Sequence, residues 1–117
     1  MTGILVQGSN GEAQLLSQSE RKEAIKLTRE TLDANGFQNV VVIAGTGAAS
    51  TRETVQFCID AKEAGATHAL VLTPSTWPPQ MSVDNIIKFH QDVRQCGLRS
   101  LLPLTICRSL TRLPSQR

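Results

Sequence analysis

The stretch VVVIAGTGAASTRETVQFCIDAKEAGATHALVLTP, residues 40–74, decides the fold. It opens with an unbroken apolar run, Val40–Ala44, and passes through a Gly45-Thr46-Gly47 bend into a helical rhythm. Val55, Cys58, Ile59 and Lys62 recur at the three- and four-residue steps that place side chains on one face of a helix. Gly65 ends that rhythm, because glycine adopts the left-handed conformation of a helix C-terminus at little cost. A second apolar run, His68–Thr73, follows at once. Neither run alternates with polar residues. Unbroken apolar runs suit strands covered on both faces, as in a parallel sheet.

The same unit recurs on either side. Gly3–Gln7 is a third apolar run. Ser17-Gln18-Ser19-Glu20 after it reads as a capping box, in which serine and glutamate satisfy each other's free backbone N–H. It opens a helix of about sixteen residues, with Ala24, Ile25, Thr28 and Leu32 on one face and Asn35-Gly36 as its stop. Ser50-Thr51-Arg52-Glu53 is a second box of the same form. A third helix is expected from about Ser82, carrying Ile86, Ile87, Phe89, His90 and Val93 and stopping at Gly97. The boxes lie 33 residues apart, and the closing glycines 29 and 32 apart. That is one strand-loop-helix unit per period. Repeated units of this kind build either a doubly wound sheet or a (β/α)8 barrel. A whole barrel needs about 200 residues or more. These 117 residues hold three units and one further candidate strand, Leu101–Cys107, which Pro103 weakens.

Bulk properties narrow the function. The net charge of +2 implies neither a nucleic-acid nor a membrane partner. No run approaches the ~20 apolar residues of a membrane span. Residues 1–92 hold seven basic and ten acidic side chains, whereas residues 93–117 hold five arginines and no acid. The basic end is read as a divergent or poorly ordered terminus in preference to a nucleic-acid arm. Cys58, Cys96 and Cys107 form no metal-ligand spacing, and His68 and His90 are isolated, so no metal is expected. An odd cysteine count without a signal peptide suits a reducing compartment. The expected location is cytoplasmic, with the mitochondrion as the open alternative.

In either architecture the ligand site lies at the C-terminal ends of the strands. Three loops leave those ends. Gly8-Ser9-Asn10-Gly11-Glu12 offers backbone N–H groups, a hydroxyl and an amide, all suited to a carboxylate or phosphate. The same residues would equally make a tight turn in which Ser9 and Asn10 cap the backbone. Gly45-Thr46-Gly47-Ala48-Ala49-Ser50 begins like a dinucleotide fingerprint, but its third glycine is Ser50 and the later acid is missing. Thr73-Pro74-Ser75-Thr76-Trp77-Pro78-Pro79 is rigid, and Trp77 is read as packing. Lys22, Lys26, Lys62 and Lys88 all fall in helix patterns, and there is no tyrosine. His68 and His90 are read as structural.

Taken together, GILVQGSNGEAQLLSQSER (3–21) and IAGTGAASTRETVQFCIDAKEAGATHALVLTP (43–74) resemble the dihydrodipicolinate synthase / N-acetylneuraminate lyase family. The resemblance covers about residues 3–93. It implies a partial (β/α)8 barrel, from the second to the fourth βα unit. It also implies a type I aldolase, in which a barrel lysine forms an imine with pyruvate and a tyrosine shuttles protons. The Ser-Asn loop is similar to the 4-hydroxy-2-oxoglutarate aldolase branch and to fungal sugar-acid aldolases. Carried over, Ser9 and Asn10 would hold the carboxylate of a pyruvate-like 2-oxo acid, and no cofactor is implied.

The departures carry equal weight. Ser75 and Thr76 stand where bacterial relatives often have two tyrosines. The family's fifth-strand tyrosine and sixth-strand lysine lie beyond the resemblance. The expected division is therefore residues 1–93 as a partial aldolase barrel and 94–117 as a divergent basic tail, with a change of reading frame or exon near Val93. The expected function is that of an inactive piece of a lyase. The alternative is a non-catalytic binding or regulatory module, and a small nucleotide-binding domain is disfavoured by the failed fingerprint. With both sheet edges open and an inward face lacking its opposite wall, self-association or association with a full-length homologue is expected. The under-covered residues would come from Ile4, Val6, Val40, Val42, Leu70 and Leu72.

Overall fold

Each apolar run becomes a strand and each capped pattern a helix. The computed structural model describes residues 2–76, 79, 81–97 and 102–106. In chain order the elements are β1 (Gly3–Val6), α1 (Gln18–Ala34), β2 (Val41–Gly45), α2 (Thr51–Glu63), β3 (His68–Leu72), α3 (Val83–Gly97) and β4 (Leu102–Ile106). Two short 3-10 turns, Ser9–Gly11 and Ala13–Leu15, bridge β1 to α1. The strands form one sheet in the order β1-β2-β3-β4, every pair parallel. Spatial order follows chain order, so right-handed crossovers put all three helices on one side. This is a section of barrel wall, and a doubly wound sheet would carry helices on both faces. Pro103 is accommodated because β4 is an edge strand.

The first capping box is complete. Ser17 Oγ accepts from Glu20 N at 3.3 Å, and Ser17 N donates to the Glu20 carboxylate at 2.8 Å. The Ser17 hydroxyl also donates to that carboxylate at 2.7 Å, and this bond, with the one from Ser17 N, holds the Glu20 carboxyl below its ordinary value. The second box is only half formed. Ser50 Oγ accepts from Glu53 N at 3.2 Å, but the Glu53 side chain lines a cavity beside Arg21 instead of turning back.

The core lies between the sheet and the helices. Val40, Val42 and Ala44 are buried against Ile25 and Leu32 of α1 and Ala61 of α2, with Ile4 and Val6 packed on the same cluster. Ala69 and Val71 meet Cys58 of α2 and Phe89 and Val93 of α3. Small residues at Ala44, Ala61 and Ala69 let helix and strand approach closely.

This alternation corrects the expected under-covered set. Ile4, Val6, Val40 and Val42 face the helices and not the open side. The open face is the other parity: Leu5, Val41, Ile43, His68, Leu70 and Leu72, matched by the registers Leu5↔Ile43, Ile43↔His68 and Gly45↔Leu70. The expected set mixes the two parities: its Leu70 and Leu72 do share the open side, although Leu70 is 7% exposed.

The charge change near Val93 coincides with no element boundary. Val93 is buried, α3 continues to Gly97, and β4 joins the sheet. Trp77, Cys107 and the last ten residues lie outside the described residues, as does the side chain of Cys96.

Candidate functional site

The site begins with a backbone reversal. Gln7, the residue after β1, has φ of 62°, in the left-handed region. The turn throws the chain across the C-terminal end of β2. A Cβ on Gly45 would lie 1.9 Å from the Gln7 carbonyl oxygen, so only glycine fits there. This supplies the physical reason for the first glycine of the Gly-Thr-Gly loop, which is close backbone approach and not phosphate binding.

Arg21, at the start of α1, locks the arrangement. Gln7 Nε2 donates to the Arg21 carbonyl at 2.5 Å. Arg21 Nη2 donates to the Gly45 carbonyl at 2.7 Å. Its guanidinium also lies over the Phe57 ring of α2, 3.7 Å from the centroid. One buried cation thus ties the ends of β1 and β2 to both α1 and α2. Burial pulls the Arg21 pKa down, while Glu53 and Asp60 act in the opposite direction. An arginine remains charged under these conditions.

This clamp anchors the Gly8–Glu12 loop. Gly11 N donates to the Gly8 carbonyl at 2.9 Å, closing the Ser9–Gly11 turn. Ser9 and Asn10 are both exposed at the rim. Neither side chain caps the turn or has a hydrogen-bonding partner among the described residues. Ser9 lines an open cavity of about 360 Å³ together with Gln7, Gly8, Arg21, Leu70 and Leu72. Asn10 sits on the same turn and is not part of that lining.

A second cavity of about 360 Å³ shares Arg21, Gly47 and Leu72 with the first. Glu53, Phe57, Thr73, Ser75 and Thr76 line it, so the residues that replace the expected tyrosines do reach the rim. His90 also approaches it: Nε2 is 3.4 Å from Thr73 Oγ1, and burial lowers the ring's pKa. His68 stays at the opposite end of β3, with Nδ1 2.9 Å from Thr67 Oγ1. Cys58 is buried in the core, where its thiol donates to Thr46 Oγ1 at 3.3 Å and burial pushes its pKa up.

None of the four lysines enters a strand. Lys22 pairs with Glu63 at 2.5 Å, which raises its pKa and keeps it charged. Lys26 pairs with Glu30 at 3.8 Å and Lys88 with Asp92 at 3.0 Å, while Lys62 is exposed on α2. The residues that sequence reasoning missed are Gln7, Arg21 and Glu53. Arg21 did leave a signal: it stands four residues before Ile25, heading the apolar stripe of α1, where a cation must be held by partners.

The model of the Dihydrodipicolinate synthetase family matches residues 1–102. The chain belongs to this family. Within the dihydrodipicolinate synthetase family, it is 49% identical over 82 residues to a probable mitochondrial 4-hydroxy-2-oxoglutarate aldolase of Emericella nidulans, covering 70% of this chain and 26% of that one. It is 47% identical over 75 residues to an L-threo-3-deoxy-hexylosonate aldolase of Aspergillus niger, covering 64% and 22%. The crystal structure of the chloride-inhibited dihydrodipicolinate synthase of Acinetobacter baumannii, complexed with pyruvate, superposes with a TM-score of 0.79 at 28% identity. It covers 90% of this chain and 33% of that one. The chain spans about a quarter of the length of the curated relatives it matches. Its four parallel strands are part of the (β/α)8 barrel of the dihydrodipicolinate synthetase family. Among the described residues no helix is long and apolar enough to cross a membrane.

Proposed function

We propose that the Gly8–Glu12 loop binds the carboxylate of a pyruvate-like 2-oxo acid, and that the chain by itself does not turn such a substrate over. The observation that carries this reading is the Ser9–Gly11 turn. It is anchored from behind by Gln7, Gly45 and Arg21, and it presents a hydroxyl and an amide without partners among the described residues. A carboxylate accepts readily from a hydroxyl, an amide and backbone N–H groups together. Holding it fixes the neighbouring keto carbon in space, which is the positioning half of aldolase chemistry. The substrate class is that of 4-hydroxy-2-oxoglutarate or of 2-keto-3-deoxy sugar acids, as the names of the fungal relatives suggest.

The covalent half is not provided by these 117 residues. An ordinary lysine has a pKa near about 10.4 and is almost wholly protonated at neutral pH. A nucleophilic lysine needs a desolvated or positively flanked position. Lys22 has the reverse, a carboxylate partner that raises its pKa. With no tyrosine in the chain, there is no phenol to carry protons to and from a bound substrate. Binding the ground state without stabilising a transition state gives no rate. A reducing compartment, cytoplasmic or mitochondrial, fits the free thiol of Cys58.

The test has two arms. Pyruvate titrated into isotopically labelled chain should shift the amide signals of residues 8–12, and Ser9→Ala with Asn10→Ala should abolish the shift. Unchanged binding by that double variant would remove the loop from the site. Borohydride reduction with pyruvate, followed by intact-mass measurement, should give no adduct. A stoichiometric adduct on one lysine would overturn the proposed inactivity.

A further inference from the structure

The chain contains two Asn-Gly steps, Asn10-Gly11 and Asn35-Gly36. Such a step is chemically labile, because glycine has no Cβ to keep its backbone nitrogen away from the preceding side-chain amide. The fold treats the two differently. Asn35 caps the end of α1, and its Nδ2 donates to the Thr31 carbonyl at 2.8 Å. That bond holds the amide against the helix. Asn10 lies in the Ser9–Gly11 turn, and its amide has no hydrogen-bonding partner among the described residues. The two glycine nitrogens are alike: Gly11 N donates to the Gly8 carbonyl at 2.9 Å, and Gly36 N to the Asp33 carbonyl at 3.3 Å. Each must release one turn bond before it can attack a carbonyl carbon. The Ser9–Gly11 turn contains no buried residue, so its opening disturbs no core. The difference in reactivity therefore lies in the side chains.

We propose that Asn10-Gly11 is a self-modification site, where the folded chain converts Asn10 to aspartate and isoaspartate and so closes the Gly8–Glu12 loop to carboxylates. The Gly11 nitrogen attacks Asn10 Cγ and forms a new C–N bond. The side-chain nitrogen leaves as ammonia, taking the proton that Gly11 N gives up. The product is a cyclic imide. Water then opens it at one of its two carbonyls. Cleavage at the side-chain carbonyl restores the main chain with an aspartate. Cleavage at the main-chain carbonyl routes the backbone through Cβ and Cγ as isoaspartate. In sum, an amide and a water become a carboxylic acid and ammonia, with no oxidant, reductant or cofactor.

The conversion changes what the loop offers. An amide that donates becomes a carboxylate that only accepts. It sets a negative charge where a negatively charged ligand group would be held. Isoaspartate also adds a carbon to the backbone of a turn whose position is fixed by Gln7, Gly45 and Arg21. This loss of ligand rests on the proposed carboxylate site, whereas the conversion itself does not.

Timed incubation of the folded chain at neutral pH tests it, with peptide mass spectrometry assigning each converted residue and chromatography separating aspartate from isoaspartate. Asn10 should convert about five- to tenfold faster than Asn35, the weight of the one hydrogen bond that Asn35 must first break. In guanidinium chloride strong enough to unfold the chain, the two rates should converge. Gly11→Ala adds a Cβ that meets nothing within 4 Å, so the fold tolerates it, yet it hinders the attacking nitrogen and should slow Asn10 several-fold. Asn10→Asp should lose the pyruvate-induced shifts of residues 8–12, and excess pyruvate should slow conversion of the parent chain. An intact Asn10, an Asn35 that converts as fast, or a Gly11→Ala chain with an unchanged rate would overturn the proposal. So would a rate difference that persists in guanidinium, which would place its origin in the neighbouring sequence and not in the fold. Undiminished pyruvate binding by Asn10→Asp would overturn the closing of the loop. A parent chain that converts at Asn10 but never binds pyruvate would defeat the carboxylate reading alone and leave the conversion standing.

Discussion

Substituting Gly45 by alanine probes the contact on which the whole rim is built. The added Cβ would lie 1.9 Å from the Gln7 oxygen and 2.7 Å from its carbonyl carbon. An acceptable carbon–oxygen separation is about 3.3 Å, so the two backbones would have to part by more than 1 Å. Both sides of the clash are main chain, and no rotamer change relieves it. Overpacking costs about 1–3 kcal/mol, and a rigid backbone contact belongs at the upper end. The shift would also strain the bond from Arg21 Nη2 to the Gly45 carbonyl, a charged-donor bond of about 1.5–3 kcal/mol. These terms overlap, and a loss of about 3–5 kcal/mol is expected. That is a large fraction of the roughly 5–15 kcal/mol that holds a domain folded. In urea, with a slope of about 2 kcal/mol per molar, the midpoint should fall by about 1.5–2.5 M. Gly11→Ala is the control. Its Cβ meets nothing within 4 Å, and its stability should stay within about 0.5 kcal/mol of the parent. Unfolding should be followed by circular dichroism at one low protein concentration for all variants. A Gly45→Ala chain as stable as Gly11→Ala would refute the close approach of β1 and β2 and the explanation of the Gly-Thr-Gly loop with it.

Arg21→Ala should cost about 2–4 kcal/mol, through loss of the Gly45 bond and the Phe57 stacking, and Arg21→Lys should recover less than half in the same urea assay. Ser17→Ala and Ser50→Ala should each cost about 1 kcal/mol, with Ser17 the more expensive because only its box is reciprocal; equal losses would show that the Glu20 return bond contributes nothing. His90 has its pKa depressed by burial, so the folded state favours the neutral ring. Its contribution to stability is present above the ordinary histidine value of about 6.5 and is lost as pH falls through the folded value. Urea midpoints should therefore drop between pH 7.5 and 5, and His90→Gln should flatten that part of the drop; an identical profile in the variant would exclude His90 as a contributor.

The fold was legible because its signals were local and repeated. Ser17–Glu20, the closing glycines and the three apolar runs each carry their meaning in a few adjacent residues, and their spacing fixes the βαβ repeat. The assignment of sheet faces was not legible. Val40 and Val41 are chemically equivalent, and only the register Gly3↔Val41 decides that Val40 and Val42 face the helices. A strand that is apolar on both faces has no alternation from which to read the answer. The half-formed second box shows a different limit. Ser50-Thr51-Arg52-Glu53 has the right letters, yet Glu53 points to a cavity shared with a cation 32 residues earlier in the sequence.

The site divides along the same line. Ser9 and Asn10 belong to a short loop whose composition suits an anion-binding turn and a self-capped tight turn equally. The residues that hold that loop, Gln7, Arg21 and Gly45, come from three elements and meet only in the folded chain. Gly45 looks like part of a nucleotide motif until the Gln7 carbonyl is found in the space its side chain would need. A barrel distributes its chemistry in the same way, because each strand end delivers one or two groups to a shared mouth. Part of a wall can therefore present a complete binding loop and still hold no complete reaction. The proposed carboxylate site is local to β1 and its turn. The covalent half of the proposed chemistry would need a nucleophilic lysine and a phenol, whereas the chain's four lysines all lie in helices and it has no tyrosine.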